Sequence, residues 1–357
     1  MWILDSTAPP LLVATTAACA LLLALTIDRW WGELPARLHP VVWMGWYLGL
    51  LGRTLAPQVL AADDANDVNG KHMSADLLQN WMQFALGALA WLVGAAAVFG
   101  FAMFLQNQII GLISRQTIPH LLVASFGLAL LFKPLFAMNM LCAEVRAVEA
   151  ALQQSLPAGR ERLSMLVSRD TACLSESQVR ESAIESLAEN LNDSVIAPIF
   201  WFVLLGLPGA AVYRFANTAD AKWGYKGIYN GQNWEWAGKW AARADDVLSW
   251  LPARITAVLL WRVSGPKTHS FNRSFWSALR QEAIRTPSPN SGWPMAAMAL
   301  LLNIQLSKPG VYVLHPSGHA AQSADVSKAI DLSSKSVLAG VLIVCLAIYL
   351  IVFGWTA

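Results

Sequence analysis

The chain has 357 residues, 56% of them hydrophobic and 13% charged, with a formal net charge of +2. A soluble globular chain carries about 25% charged residues, so too little polar surface remains to cover this one in water, and a bilayer is the implied solvent. The near-balanced charge, and the lack of a basic tract interleaved with aromatics, argue against a nucleic-acid partner.

Residues 11–27 are apolar and uncharged and read as a first membrane helix, closed by Asp28 and Arg29. No Lys or Arg precedes this stretch, so it lacks the basic start of a signal peptide and is expected to be retained. Residues 28–58 are mixed, and their apolar piece, 41–52, is short of the roughly 20 residues that a crossing helix needs. Residues 61–76 are polar and turn-rich, a surface loop. Residues 81–105 form a second span and 121–143 a third. Lys133-Pro134 interrupts that third span. Proline removes a backbone hydrogen bond and an intramembrane lysine needs a polar partner, so a kink is expected there.

Residues 144–194 read as soluble helix. Residues 195–213 are apolar but broken by Pro198 and by Gly206-Leu207-Pro208-Gly209. Residues 214–246 are polar and rich in Trp and Tyr. Residues 247–261 are apolar yet hold Pro252 and Arg254, and 293–306 are apolar and short. A polar loop over 307–335 leads to a last span at 336–355. The 17 Trp suit membrane–water interfaces. Cys19, Cys142, Cys173 and Cys345 form no CxxC pair and read as packed thiols. No internal repeat is visible, so residues 1–357 are expected to form one membrane domain.

Lys and Arg set the expected orientation. Segment 28–80 holds four, 106–120 one, 144–194 five, 214–246 five and 262–335 eight. If every apolar segment crossed, the basic 214–246 would face outside. That conflict disappears if 195–213 and 247–261 dip in or lie covered by protein, where irregular backbone is tolerated at membrane depth. The expected fold is therefore all-α and polytopic. It has about four full spans, both termini outside, broken or re-entrant helices, and a cytoplasmic helical region over 144–335 that holds the chemistry.

Within that region Glu181, Glu185, Glu189 and Asp193 recur every four residues. On a helix each step of four turns about 40°, so the four carboxylates form one slanting stripe. Like charges at this spacing repel, which suits a Mg²⁺ site, since Mg²⁺ takes one or two carboxylates plus phosphate oxygens. A solvated acidic face with Arg169 and Arg180 nearby is the plainer alternative. Arg169 could grip a phosphate or carboxylate, and Asp170 or Thr171 could cap the helix. Asn217-Thr218-Ala219-Asp220 and Arg243-Ala244-Asp245-Asp246 flank the next apolar segments. Asp245 could cap a helix, and Arg254 could pair with the acidic residues. Ser288-Pro289-Asn290 opens a loop before an apolar helix, whose free NH groups favour anions. His315 and His319 are separated by helix breakers, which disfavours a shared metal. No P-loop, H-E-x-x-H, G-x-S-x-G or dinucleotide fingerprint is present.

Six blocks in order resemble the adenosylcobinamide-phosphate synthases, integral membrane enzymes of cobalamin biosynthesis. They are Asp28-Arg29 through Pro35 with His39-Pro40 through Gly45; Ser168-Arg169-Asp170-Thr171; Glu185 through Asn190 with Asp193 and Ala197-Pro198; Tyr213-Arg214 with Asn217, Asp220 and Gly224-Tyr225; Ala242-Arg243 with Asp245-Asp246 and Pro252-Ala253-Arg254; and Ser288-Pro289-Asn290 with Gly292-Trp293-Pro294. The resemblance implies an enzyme that joins adenosylcobyric acid, a corrinoid, to (R)-1-aminopropan-2-ol or its O-phosphate, forming an amide with consumption of ATP. It also implies the bacterial cytoplasmic membrane as its place, with assembly as a homo-oligomer left open. A carboxylate does not condense with an amine unaided in water, and phosphorylation supplies the leaving group, with Mg²⁺ and arginines neutralising the moving phosphoryl charge.

On that reading Glu185, Glu189, Asn190, Arg169 and Arg243 are the expected catalytic residues. Arg254, Asn217, Asp220, Asn290 and Ser288 would bind ATP or substrate, and Asp193, Asp245 and Asp246 would hold Mg²⁺. Departures from the family pattern are Ser168 and Ser194 where glycine is usual, Ser249 near a usual asparagine, Lys222-Trp223 in a usually small, apolar stretch, and an unmatched tail after about residue 307. A transporter, on the strength of Lys133, Arg254 and the broken helices, and a non-catalytic membrane sensor sharing the fold are the competing classes.

Overall fold

The computed structural model describes residues 9–58, 73–113, 117–265 and 272–356. It is all-α apart from two short hairpins, as composition and periodicity implied. Pro10 starts α1 (Pro10–Trp31), where its missing N–H is no loss. A 3₁₀ turn (Ala36–Leu38) leads to α2 (Pro40–Leu55), and α3 (Met73–Ile113) is a long apolar helix. Most of the polar stretch 61–76 lies outside the described residues, and α3 already begins at its end.

The expected kink at Lys133-Pro134 is present. The helix α4 (Ile118–Phe132) gives way to a 3₁₀ turn (Lys133–Leu135) and then to α5 (Met138–Gln154). Lys133 is 2% exposed and finds the polar partners it requires: its Nζ lies 3.2 Å from Asp28 and 2.7 Å from Glu33. Asp28 also accepts the Asn139 backbone N–H at 2.7 Å. This cluster ties the end of α1 to the break between α4 and α5.

The helix α6 (Leu156–Ser164) is capped by Ser155. Beyond it, α7 (Glu176–Leu191) runs through a π turn (Asn192–Ile196) into α8 (Ala197–Trp223), which is interrupted at Gly206. Gly206 has φ of +74°, a conformation in the left-handed region, and a Cβ there would strike Gln106 at 2.2 Å. Gln106 reaches from α3 to accept the Leu207 N–H at 2.7 Å, satisfying backbone freed by the break. The consequence is a reversal. Arg214 hydrogen-bonds Ser194, twenty residues earlier, at 3.2 Å, whereas a straight helix would hold them about 30 Å apart. The apolar segment therefore goes out and comes back as a helical hairpin whose two ends meet.

The remaining elements are a hairpin of β1 (Ile228–Tyr229) and β2 (Gln232–Asn233), α9 (Lys239–Val263), α10 (Asn272–Ala283), α11 (Gly292–Leu302), a hairpin of β3 (Leu306–Lys308) and β4 (Tyr312–Leu314), and α12 (Ser323–Thr356). Two boundaries differ from expectation. The last helix starts at Ser323 rather than 336, because Ser323–Ser336 carries a buried face as well as a polar one. The supposed loop over 307–335 holds the β3–β4 hairpin instead. Among the described residues five helical segments are long and apolar enough to cross a membrane, Pro10–Trp31, Leu77–Ile113, Ile118–Gln154, Glu176–Trp223 and Ser323–Gly354. The fourth of these contains the reversal at Gly206. The helix α11 is apolar because it is core: Met295 through Ala299 are almost wholly buried against the rest of the chain.

Candidate active site

The helix α7 is positioned by a capping box. Ser175 Oγ accepts from the Gln178 N–H at 3.3 Å and the Gln178 side chain accepts from the Ser175 N–H at 2.8 Å. The cap is therefore Ser175, not Asp170 or Thr171. Asp170 instead forms a local turn by accepting from Ala172 N–H at 2.9 Å, and Thr171 donates to the Arg160 carbonyl. This register turns the carboxylate stripe inward. Glu181 and Glu185 are 2% and 3% exposed, which excludes a solvated acidic face. Buried carboxylates need donors, and each has them. Ser307 donates to Glu181. Arg169 and Tyr312 both donate to one oxygen of Glu185, the phenol at 2.8 Å. The other oxygen of Glu185 is buried and accepts no hydrogen bond from the described residues. Arg180 is drawn away to Glu149 and Glu176.

Arg169, Glu185, Glu189, Asn190, Ser288, Lys308 and Tyr312 line one cavity of about 280 Å³. From there a polar chain continues into the protein. Ser194 donates to Asn190 at 3.3 Å, and Arg214 donates to Ser194 and, at 3.3 Å, to Asn217. Asn217 donates to Asp245 at 3.4 Å. Ser249 bridges Asp245 to the buried Tyr213 hydroxyl. Asn192 donates to Asp193 at 2.7 Å and is itself held by Thr256 of α9. The reversal at Gly206 is what brings Arg214 and Asn217 beside Asp193 and Ser194.

A family model described as CobD/Cbib protein matches residues 21–335. The chain belongs to this family. It is 37% identical over 322 residues to the probable cobalamin biosynthesis protein CobD of Methanothermobacter thermautotrophicus, covering 89% of this chain and 93% of that one. It is 34% identical to the protein of the same name in Pyrococcus furiosus, over 92% and 97% of the two chains. It is 33% identical to the cobalamin biosynthesis protein CobD of Dehalococcoides mccartyi, over 82% and 85%. No solved structure matches the chain.

In this CobD/Cbib chain the predicted residues separate into groups. Arg169, Glu185, Glu189, Asn190 and Ser288 share the cavity, while Asp193, Asn217 and Asp245 share the polar chain. Asp220 and Asp246 lie within electrostatic reach of both Asp193 and Asp245. Asn290 and Arg254 form a brace instead. Arg254 donates to Asn290 at 2.9 Å and to the Trp250 and Pro289 carbonyls, and sits 4.4 Å and 4.8 Å from the Trp250 and Trp293 rings. It pairs with no carboxylate among the described residues, contrary to the expectation from sequence, because carbonyls and aromatic faces already compensate its charge. Asn290 holds the Asp246 carbonyl at 2.7 Å, so the brace fixes the start of α9. Arg243 is exposed and makes no ion pair among the described residues. Tyr312, Lys308, Arg214 and Tyr213 were not singled out as site residues from sequence. Only the long-range hairpins bring them in, and Tyr213-Arg214 was visible only as part of a family block.

Outside the membrane-embedded segments three shifts matter. Burial, then the carboxylates of Asp193, Asp220 and Asp246, push the Asp245 carboxyl well above its ordinary range, although the Asn217 hydrogen bond opposes them. Burial raises Asp246 as well, with Lys226 opposing. Burial and the Glu185 charge push the Tyr312 phenol up, so it stays protonated and donates. Among the described residues no three of His, Cys, Asp and Glu converge into a ready-made metal cage. The donor set fits Mg²⁺ only in the mode that needs few protein ligands and completes itself with phosphate oxygens. The unpartnered buried oxygen of Glu185 is the observation that favours such a ligand.

Proposed function

We propose that the protein works in cobalamin biosynthesis as an ATP-dependent amide ligase, joining adenosylcobyric acid to (R)-1-aminopropan-2-ol or its O-phosphate. Family membership and the names of its relatives support the pathway. The observation that carries the ligase reading is Glu185: it is clamped by Arg169 and Tyr312 at one oxygen, open at the other, and shares its cavity with Asn190, from which hydrogen bonds run through Ser194, Arg214 and Asn217 to Asp245 of α9.

In this reading Arg169 and Lys308 hold the anionic group of a substrate in the cavity. Glu189, half-buried beside them, accepts the proton that the amine loses as the C–N bond forms. Asn190 and Ser288 orient the acceptor through neutral hydrogen bonds. Glu185 in the cavity and the Asp193–Asp245 pair along the polar chain are two separate places that would each offer Mg²⁺ one or two carboxylates, and the ion would supply charge neutralisation on the phosphoryl group when bound. Arg254 and Asn290 act at one remove, holding α9 and hence Asp245 and Asp246 in place.

The test uses the full chain in detergent with ATP, Mg²⁺, adenosylcobyric acid and aminopropanol phosphate or aminopropanol. ADP and phosphate should appear only when both organic substrates are present. Glu189→Gln should slow this release by about 100-fold or more, the scale of a lost general base, with thermal unfolding unchanged. Full activity in that variant removes Glu189 from the role. Nucleotide turnover that ignores the corrinoid rejects the ligase.

A further inference from the structure

A second cavity, of about 660 Å³, lies between α2, the start of α5 and the returning arm of α8. Its walls are mostly apolar, among them Val42, Phe136 and Met140, and Trp46 at its rim is 83% exposed. Its polar groups converge from one helix face: Arg214, Thr218 and Lys222 stand four residues apart on α8. An apolar cavity of this size with a few convergent polar groups has the build of a ligand site.

Its two cations have no direct ion-pair partner among the described residues. Glu33 and His39 line the cavity too, but Glu33 is turned to Lys133 at 2.7 Å, which it shares with Asp28, and to His39 at 3.4 Å. Neither Arg214 nor Lys222 makes an ion pair with a described residue. Arg214 donates through Nη1 to Asn217, Ser194 and the Asp193 carbonyl, while its buried Nε has no acceptor. Asp193, Asp245 and Glu33 are within its electrostatic reach but not paired with it. Lys222 is given room by glycine: a Cβ on Gly45 of α2 would stand 3.1 Å from the lysine Cε. The sequence thus leaves the Arg214 guanidinium, with its buried Nε unpartnered, and the exposed Lys222 ammonium side by side at the head of an apolar chamber, placed to be joined by one anion.

We propose that this cavity binds a phosphate group carried on an apolar body, with the phosphate on Arg214 and Lys222 and the body against Val42, Phe136 and Met140. An anionic phospholipid and a soluble phosphate ester share that chemistry. The site stands apart from the ligase reading, since its test measures binding and not turnover.

The full chain in neutral detergent is titrated calorimetrically with glycerol 1-phosphate, and separately given phosphatidylglycerol, with retained lipid counted by native mass spectrometry. Wild-type protein should bind one of the two. Lys222→Gln should weaken that binding about tenfold, the loss of one charge-assisted contact, while Lys222→Arg keeps it and the exposed Arg262→Gln leaves it unchanged. Gly45→Ala, which presses a methyl group on the lysine stem, should weaken it as well. Binding of the lipid alone identifies a headgroup site, and binding of glycerol 1-phosphate identifies a soluble ligand. Failure to bind either probe, or equal affinity in wild type and Lys222→Gln, overturns the proposal.

Discussion

Tyr312 and Arg169 hold the same oxygen of Glu185, and that shared grip decides where its free oxygen points. A hydrogen bond to a charged group contributes about 1.5–3 kcal/mol. Tyr312→Phe should therefore slow substrate-dependent ADP release about 10- to 100-fold without unfolding the protein; a change under about twofold would mean the phenol does not set the carboxylate. Asp245 gives a pH prediction. Its folded value lies above the unfolded one of about 3.9, so folding takes up a proton. Its contribution to stability is complete below that unfolded value and is lost as pH rises through the folded one. Above the unfolded value the Asp245 carboxyl thus costs the fold stability, and Asp245→Asn should raise the melting temperature at pH 7, with the gain shrinking toward pH 4. The same variant should weaken the Mg²⁺ dependence of ADP release, because a metal ligand must be deprotonated. A lower melting temperature for Asp245→Asn at pH 7 would contradict this account. At this scale the stripe from Glu181 to Asp193 was legible because helical spacing is local. Tyr312 and Lys308 were not, because a contact between residues 185 and 312 leaves no mark in either segment.

The helix breaks carry the architecture. Lys133-Pro134 was readable as a kink with a buried cation, and the structure supplies Asp28 and Glu33 as its partners. Removing one member of a buried pair leaves an uncompensated charge, which costs about 3–5 kcal/mol. Lys133→Met should lower thermal stability in detergent accordingly, and adding Asp28→Leu should recover part of the loss. If the double variant is no more stable than Lys133→Met, the pair is not the reason. Gly206-Leu207-Pro208-Gly209 likewise announced a break, but only the Arg214–Ser194 contact shows that the chain turns through it and returns. The boundaries at Ser175 and Ser323 were misplaced for opposite reasons. Asp170 and Thr171 are equally good capping residues by type, and the polar first turns of α12 look like loop until their buried face is seen.

At the scale of the whole molecule the reversal at Gly206 bears on topology. A helix that crosses delivers its ends to opposite faces; one that returns delivers them to the same face. Ser194 and Arg214 meet at the base of this hairpin, and Glu185, which precedes it, is held by Tyr312 of the β3–β4 hairpin. The β1–β2 hairpin that follows α8 docks on α2 through Gln232, which donates to the Gly52 and Ala56 carbonyls. These contacts join residues before and after the apolar segment, as a returning hairpin requires. They also agree with the placement of Lys and Arg, which a crossing at 195–213 would have set on the outer face. Single cysteines at Ile228 and Ala320, introduced in place of the four native thiols, should both react with a membrane-impermeant maleimide from the cytoplasmic side, in inside-out vesicles and not in intact cells. If the two positions label from opposite sides, the segment crosses, the carboxylates sit within a transmembrane path, and a transporter becomes the better account of the same buried charges.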